Sequence, residues 1–441
     1  MSIPEPPAPA PPRQLSAWLN STAKVAGTGI SFLLYIALAR LMTPEAFADF
    51  AVVFAWLALA AALATLSFPM LLVRFVSDNL AQGRFGLARG VAQFSLLVTT
   101  GVSVAMAVVA ALALGSGLIA LPRDLDAGAL MAAALLVPTV LLMVLAGLLT
   151  AVKRAVAAEL LVNVSRPALL IAGLGALWFL QRPAFTAPLV LGVYLAASLL
   201  IAAICIPYCL ATLPRELKLA RAEYDTRTWS RTAAGFAAAI FMAAVSDRVD
   251  LLLMGAIALP AEVAVYAVAV RFAQTVTVAA NAASTAMAPH LVELFPELRA
   301  GRREAIQALM RDTARTSLYI SLLAVAGFGA LGPLFLSLFG EHYEAAYAPL
   351  MVLACGQALS ALLGPAAGVA TLAGAPRIAI VGLSAGVAVN VTLNLLLVPR
   401  FGAIGAASAT ASGMVSAAVI TWAWTRVRFR IDTSVFGFSP R

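Results

Sequence analysis

The sequence predicts an all-α integral membrane protein with about twelve transmembrane helices in two six-helix lobes. Three observations carry this: an apolar composition, windows of spanning length that recur along the chain, and an internal repeat. Of 441 residues, 62% are hydrophobic and 11% charged, and the mean hydropathy is +0.97. Soluble domains run about 45–50% apolar and about 25% charged, so a water-soluble fold is excluded.

A span needs about 20 apolar residues. Windows of that size fall at 18–42, 46–72, 90–121, 127–151, 158–181, 185–211, 232–256, 262–289, 313–339, 346–372, 378–398 and 402–426. Each is too long for a barrel strand and must satisfy its own backbone in lipid, which makes it a helix. Residues 1–15 form a tail expected to be disordered, because Pro4, Pro6, Pro7, Pro9, Pro11 and Pro12 interrupt any helix or signal-peptide apolar core. The expected organisation is a cytoplasmic tail at 1–15, a first lobe at 16–212, a cytoplasmic linker at 213–231, a second lobe at 232–428 and a second tail at 429–441.

The chain holds 29 basic and 20 acidic residues, a formal charge of +9. Threading the spans alternately puts 23 Lys and Arg on the side of the N-terminus, Arg166 among them, and four on the other: Arg40, Arg123, Arg182 and Arg400. Arg248 and Arg271 fall inside spans. Positive residues concentrate in the cytoplasm, so both termini are expected there. The basic balance is a topology signal and gives no ground for a nucleic-acid partner.

The repeat lies between spans one to six and seven to twelve. Shifted by 216 residues, Pro44, Phe47, Ala48, Phe50 and Ala51 fall on Pro260, Val263, Ala264, Tyr266 and Ala267. At a shift of 218, Leu80, Gly83 and Arg84 fall on Leu298, Gly301 and Arg302. Six helices separate the copies, an even number, so the repeat is parallel and a transport site is expected near the midplane between the lobes.

Ionisable groups inside spans cost about 2.5–3.5 kcal/mol each on insertion scales, so they mark function or tight pairing. In the first span Asn20, Lys24, Thr28, Ser31 and Tyr35 fall within an arc of about 80° at helical spacing. In the seventh, Asp247 and Asp250 are expected on one face with Arg248 beside them, and the 216 shift sets Asp247 on Ser31. The eighth adds Arg271, Gln274 and Asn281, and the eleventh Asn390 and Asn394 one turn apart. Two readings stay open. The neutral residues are either bonds between helices or a cavity lining, and the four charged ones either a closed ion-pair cluster or the walls of a water-filled path.

Other chemistries lack material. His290 and His342 both lie near span ends, Cys205, Cys209 and Cys355 lie within apolar spans, and no GxxxxGK[ST] motif occurs. No metal site, disulfide, catalytic residue or bound cofactor is therefore expected.

The order of motifs now becomes recognisable. RLMTPEAFADFAVVFAW at 40–56 resembles the first outer loop and second span of the polysaccharide exporter, or O-antigen (lipid-linked oligosaccharide) flippase, family, with Ala48 where Gly is usual. DRVDLLLMGAIALPAEVAVYAVAVRFAQ at 247–274 is similar to the matching segment of its second lobe, GEHYEAAYAPLMVLACGQ at 340–357 to its ninth-to-tenth connection, and NLLLVPRFGAIGAASATASGMV at 394–415 to the junction of its last two spans. The resemblance implies the multidrug/oligosaccharidyl-lipid/polysaccharide exporter fold, with two lobes rocking around a central cavity. It also implies translocation of a polyprenyl-diphosphate-linked oligosaccharide between leaflets of a bacterial inner membrane, for O-antigen, capsule or exopolysaccharide assembly.

On that footing Lys24 and Arg271, with Arg248, are expected to bind diphosphate. Asn20, Thr28, Ser31, Gln274 and Asn281 would bind sugar hydroxyls, and Asp247 or Asp250 would couple transport to H+ or Na+. Partners would be the lipid-linked substrate, membrane lipid, and a polysaccharide polymerase and glycosyltransferases. The rivals are a cation-coupled drug exporter, a peptidoglycan-precursor flippase, a membrane glycosyltransferase and a scaffold. A strongly cationic cavity is not evident from spans seven and eight, where two acids offset two bases.

Overall fold

The computed structural model describes residues 13–116, 125–294 and 304–437, with the side chains of 13–18, 278–289 and 292 outside that description. The described chain is helical, with a single isolated bridge, Met42 to Phe185, and no strand. The rods are α1 (Arg13–Leu41), α2 (Pro44–Ala81), α3 (Phe85–Gly115), α4 (Asp126–Ala151), α5 (Ala155–Leu180), α6 (Ala187–Thr212), α7 (Thr226–Ser246 and Val249–Ile257), α8 (Pro260–Glu293), α9 (Glu304–Ser337), α10 (Glu341–Ala361 and Ala366–Leu372) and a last helix, Pro376–Phe429.

Eight of these are long and apolar enough to cross a bilayer, or nine if the two pieces of α10, bent by 47°, make one crossing. The 54-residue helix Pro376–Phe429 is itself two crossings, because it doubles back at Gly402. Asn390 bonds Thr410, Gly386 packs on Gly413, and Gly382 meets Thr421, pairs that close only in an antiparallel hairpin. Its arms are α11 (376–401) and α12 (403–429). Gly402 has φ +52°, and a Cβ there would lie 2.5 Å from the Glu262 carboxylate, which accepts from Ala403 N–H at 2.8 Å and caps α12. The remaining rods, α7 and α8, are not among the helices apolar enough to cross, and with the two arms of the hairpin counted separately the described rods number twelve. α7 and α8 carry Asp247, Arg248, Asp250, Glu262 and Arg271, the charges that dilute their hydropathy.

The two halves repeat one neighbour pattern. In the first, α1 lies on α5, α2 on α4, α3 on α4, and α4 on α6; in the second, α7 lies on α11, α8 on α10, α9 on α10, and α10 on α12. Breaks have local causes. In α2, Leu66 and Ser67 adopt positive φ just before Pro69, whose missing N–H cannot continue the ladder. The sequence placed this span at 46–72, but the helix runs on to Ala81, since hydropathy follows the apolar run and not the helix beyond it. Similarly α1 begins at Arg13, inside the stretch expected to be a tail.

The halves meet through α2, which packs on α7 and α8. At the face away from the basic loops, Phe32 lies 4.9 Å from Phe272 and 5.7 Å from Phe339, and Phe47 lies 5.8 Å from Tyr343, all across the seam. Arg40 at the end of α1 donates from Nη2 to the Ser337 carbonyl at 2.6 Å and from Nε to that of Leu338 at 2.8 Å, capping the C-terminus of α9 in the other half. At the basic face the linker is docked: Glu223 N–H donates to Gly86 O at 3.0 Å, and the buried Trp229 stacks near Phe94.

The threading sets Arg166 on the basic side although the 158–181 span contains it. It lies inside α5, 11 residues past Ala155 and so about 16 Å along the helix. Of the other residues in that count, Arg299, Arg302, Arg303 and Arg441 lie outside the described residues, as does Arg123 opposite.

Candidate functional site

Two polar cavities lie between the helices that carry the polar stripes. The first, about 330 Å3, is lined by Lys24, Gly27, Thr28 and Ser31 of α1, Glu159 and Asn163 of α5, and Arg271, Gln274 and Thr275 of α8. Lys24 is exposed into it, and Thr28 and Ser31 are half-buried. Arg271 is held in place: its Cζ sits 4.6 Å over the Tyr35 ring and its Nη1 donates to Gln274 Oε1 at 3.4 Å, while its Nε–H is buried with no partner. A side chain fixed in this way presents its charge to the cavity.

The α5 wall of this cavity is the part that the sequence did not suggest. Residues Glu159–Val164 form a π-helical turn. A π turn inserts one residue and re-aims the side chains around it. Gly27 of α1 lies against it, where a Cβ would come 3.2 Å from the Asn163 carbonyl. The signal available was the acid Glu159 with Asn163 four residues on, a polar pair at the start of an apolar run.

The second cavity, about 410 Å3, is lined by Ser246, Asp247, Arg248 and Asp250 of α7, Gln274 and Thr277 of α8, Asn390 of α11 and Thr410 of α12, among others. Gln274 borders both cavities, which therefore share a wall. Asp247 and Asp250 were expected on one face of a continuous helix. α7 instead breaks between Ser246 and Val249, with Asp247 ending one piece and Arg248 starting the next. Asp247 is left exposed and Asp250 is 3% exposed.

Asp250 is at the centre of a polar knot. Its Oδ2 accepts from the Tyr266 hydroxyl at 2.5 Å and from Thr410 Oγ1 at 3.1 Å, and its Oδ1 accepts from Leu251 N–H at 2.7 Å. Asn390 Nδ2 donates to Thr410 Oγ1 at 3.0 Å, and Asn394 Nδ2 to Asn390 Oδ1 at 2.8 Å. Tyr266 and Asn390 thus bond between helices of the second half, while Asn394 bonds Asn390 one turn away on α11. The closed cluster of two acids on two bases does not form: among the described residues the one ion pair within 4.0 Å is Arg426 to Asp432.

One expected residue is not brought to the site. Asn20 lines neither cavity, and the side chain of Asn281 lies outside the described residues. No group of three His, Cys, Asp or Glu suited to a metal occurs among the described residues.

Two six-helix halves with paired polar cavities between their helices define a multi-pass membrane protein with the architecture of a two-lobed transporter. The profile of the family described as polysaccharide biosynthesis protein matches residues 16–295, and the chain belongs to that family. No curated protein matches the sequence. The fold is that of the MOP transporter superfamily. It is similar to an inward-facing multidrug resistance MATE family transporter of that superfamily, at TM-score 0.74 and 15% identity over 94% of this chain and 98% of the other. It is similar also to a MOP superfamily transporter from Pyrococcus furiosus whose reversed binding-pocket polarity is said to suggest a different function, at TM-score 0.63 and 14% identity over 94% and 95%. A third likeness is to the lipid II flippase MurJ in an inward closed conformation, at TM-score 0.60 and 12% identity over 94% and 87%.

Proposed function

We propose that the protein moves a polyprenyl-diphosphate-linked oligosaccharide from the cytoplasmic to the outer leaflet of a bacterial inner membrane, for assembly of a surface polysaccharide. The basic face is then the cytoplasm, and the seam at Arg40, Phe32 and Phe272 is the outer closure. The observation that carries this reading is the first cavity, where Lys24 and Arg271 face a polar space with only Glu159 of opposite sign. Such cations favour an anionic head group, which they can hold by charge-assisted hydrogen bonds. Thr28, Ser31, Asn163 and Gln274 supply hydroxyl and amide groups for sugar, while the prenyl tail stays in lipid. Asp247 is the coupling acid for H+ or Na+, because of the two acids that line the second cavity it is the exposed one; Asp250 is buried and holds the knot. A polymerase and glycosyltransferases would act on the delivered and supplied lipid.

A drug exporter is the second reading, favoured by the acids of the second cavity and by the multidrug transporter among the similar folds. The test is deletion in the host followed by leaflet-selective labelling of polyprenyl-diphosphate oligosaccharides. Finished repeat units facing the cytoplasm, with the surface polysaccharide lost, support the flippase. An unchanged surface and no such lipid would overturn it.

A further inference from the structure

Arg166 is a buried cation that the reading above does not use. It follows the π turn of α5, three residues beyond Asn163, which lines the first cavity. The residue is 7% exposed. Its Nη2 donates to Thr139 Oγ1 at 3.2 Å, its Cζ lies 4.9 Å over the Tyr194 ring, and its Nε–H is buried without a partner. Among the described residues no carboxylate lies within ion-pair distance of it.

A guanidinium brings five N–H donors. Here one neutral hydroxyl and one ring face answer them, at a depth where water does not reach the buried edge. A cation kept only for packing would be better replaced by an apolar side chain of its size, and a cation kept as part of a structural pair would have its acid. Neither description fits Arg166. Arg271 shows the same signature at the first cavity, with a ring beneath it, one amide partner and an orphan Nε–H. Two arginines from different halves thus each lie over a tyrosine ring, Tyr194 and Tyr35, with one guanidinium N–H unanswered by the protein.

We propose that Arg166 is a second anion anchor on the transport path, which takes a phosphate group of the lipid diphosphate together with Arg271 once the seam around the first cavity loosens. This rests on the flippase reading and adds to it a binding residue in the first half, on α5. Tyr194 and Thr139 hold the guanidinium ready, and the phosphate supplies the countercharge that the protein withholds.

The experiment measures binding of geranylgeranyl diphosphate, with geranylgeraniol as the uncharged control, to the full-length protein in nanodiscs. Arg166→Gln is expected to weaken diphosphate binding at least tenfold and Arg166→Lys by less, with geranylgeraniol binding unchanged in both. A purely structural arginine would lower the melting temperature of Arg166→Gln and leave the diphosphate Kd within twofold of wild type. That result, with Arg271→Ala still weakening binding, overturns the anchor and leaves the flippase reading in place. Wild-type diphosphate affinity in Arg271→Ala and Lys24→Ala as well would overturn both. If Arg166→Gln does not accumulate, Arg166→Met decides: a diphosphate Kd within twofold of wild type rejects the anchor, and a loss of at least tenfold that Arg166→Lys partly restores supports it.

Discussion

The two cavities share Gln274 as a wall but answer their charges in opposite ways. In the first, Arg271 has a ring and a weak amide contact and keeps an unpartnered N–H. In the second, the buried Asp250 has each carboxylate oxygen taken by donors from α7, α8 and α12. A buried charge whose hydrogen bonds are complete is a structural element; one left incomplete is available to a ligand. On the proposed function, the difference puts binding on the α1, α5 and α8 side and rigidity on the α7, α11 and α12 side, although the sequence repeat makes α1 and α7 counterparts.

The strongest way to break this contrast is to remove the open charge. Arg271→Ala should cost the charge-assisted bonds to an anion, about 1.5–3 kcal/mol or about 10–150-fold in Kd for an isoprenyl diphosphate, with little change in melting temperature. Titration in nanodiscs checks it. The reverse pattern is expected at the knot. Tyr266→Phe deletes a hydroxyl bonded to a carboxylate and should destabilise the fold by about 1.5–3 kcal/mol, seen in thermal unfolding, while the diphosphate Kd moves less than threefold. If both variants act on binding alone, the division of roles fails.

Smaller effects sharpen the picture of the seam. Arg40→Ala removes a cation from the C-terminus of α9, where such a charge is worth about 0.3–1 kcal/mol, so the population closed on that side should fall several-fold at most. Spin-label distances across the Phe32 and Phe339 seam would report it.

The smallest effect is expected at the C-terminal segment, which folds back onto α9, α10 and α12. Burial acts to raise the Asp432 carboxyl, but hydrogen bonds from Trp422 and Ser434 and the nearby Arg426 outweigh it and hold the group below its usual range. A depressed folded-state pKa adds stability above the ordinary value near 4 and loses it as pH falls through the folded one. Asp432→Asn should therefore melt slightly below wild type at neutral pH, and the two curves should converge in acid.

Much of the architecture was legible because each crossing must be apolar for its full length and satisfy its own backbone. Pro44 and Pro260 mark the starts of α2 and α8, and the α11 to α12 turn lies beside Gly402, near where the apolar windows part. The α1 stripe was legible too, since periodicity along one unbroken helix fixes a face: Lys24, Thr28 and Ser31 do line one cavity. What failed were inferences across a break in the helix. The interruption after Ser246 separates Asp247 from Asp250, and the π turn at Glu159–Val164 gives α5 a register that no 3.6-residue count contains. Arg166 was lost for another reason. A single arginine near a span's start scores as a loop charge, and only the packing of Tyr194 and Thr139 around it reveals a buried one.

The most direct test of the central claim is translocation by the purified protein in liposomes, followed with a leaflet-selective probe on a polyprenyl-diphosphate oligosaccharide. The expected result is rapid equilibration between leaflets with wild type and loss of it with Arg271→Ala. Equal rates for the two proteins, or no movement above protein-free liposomes, would contradict the assignment of the first cavity to the lipid diphosphate.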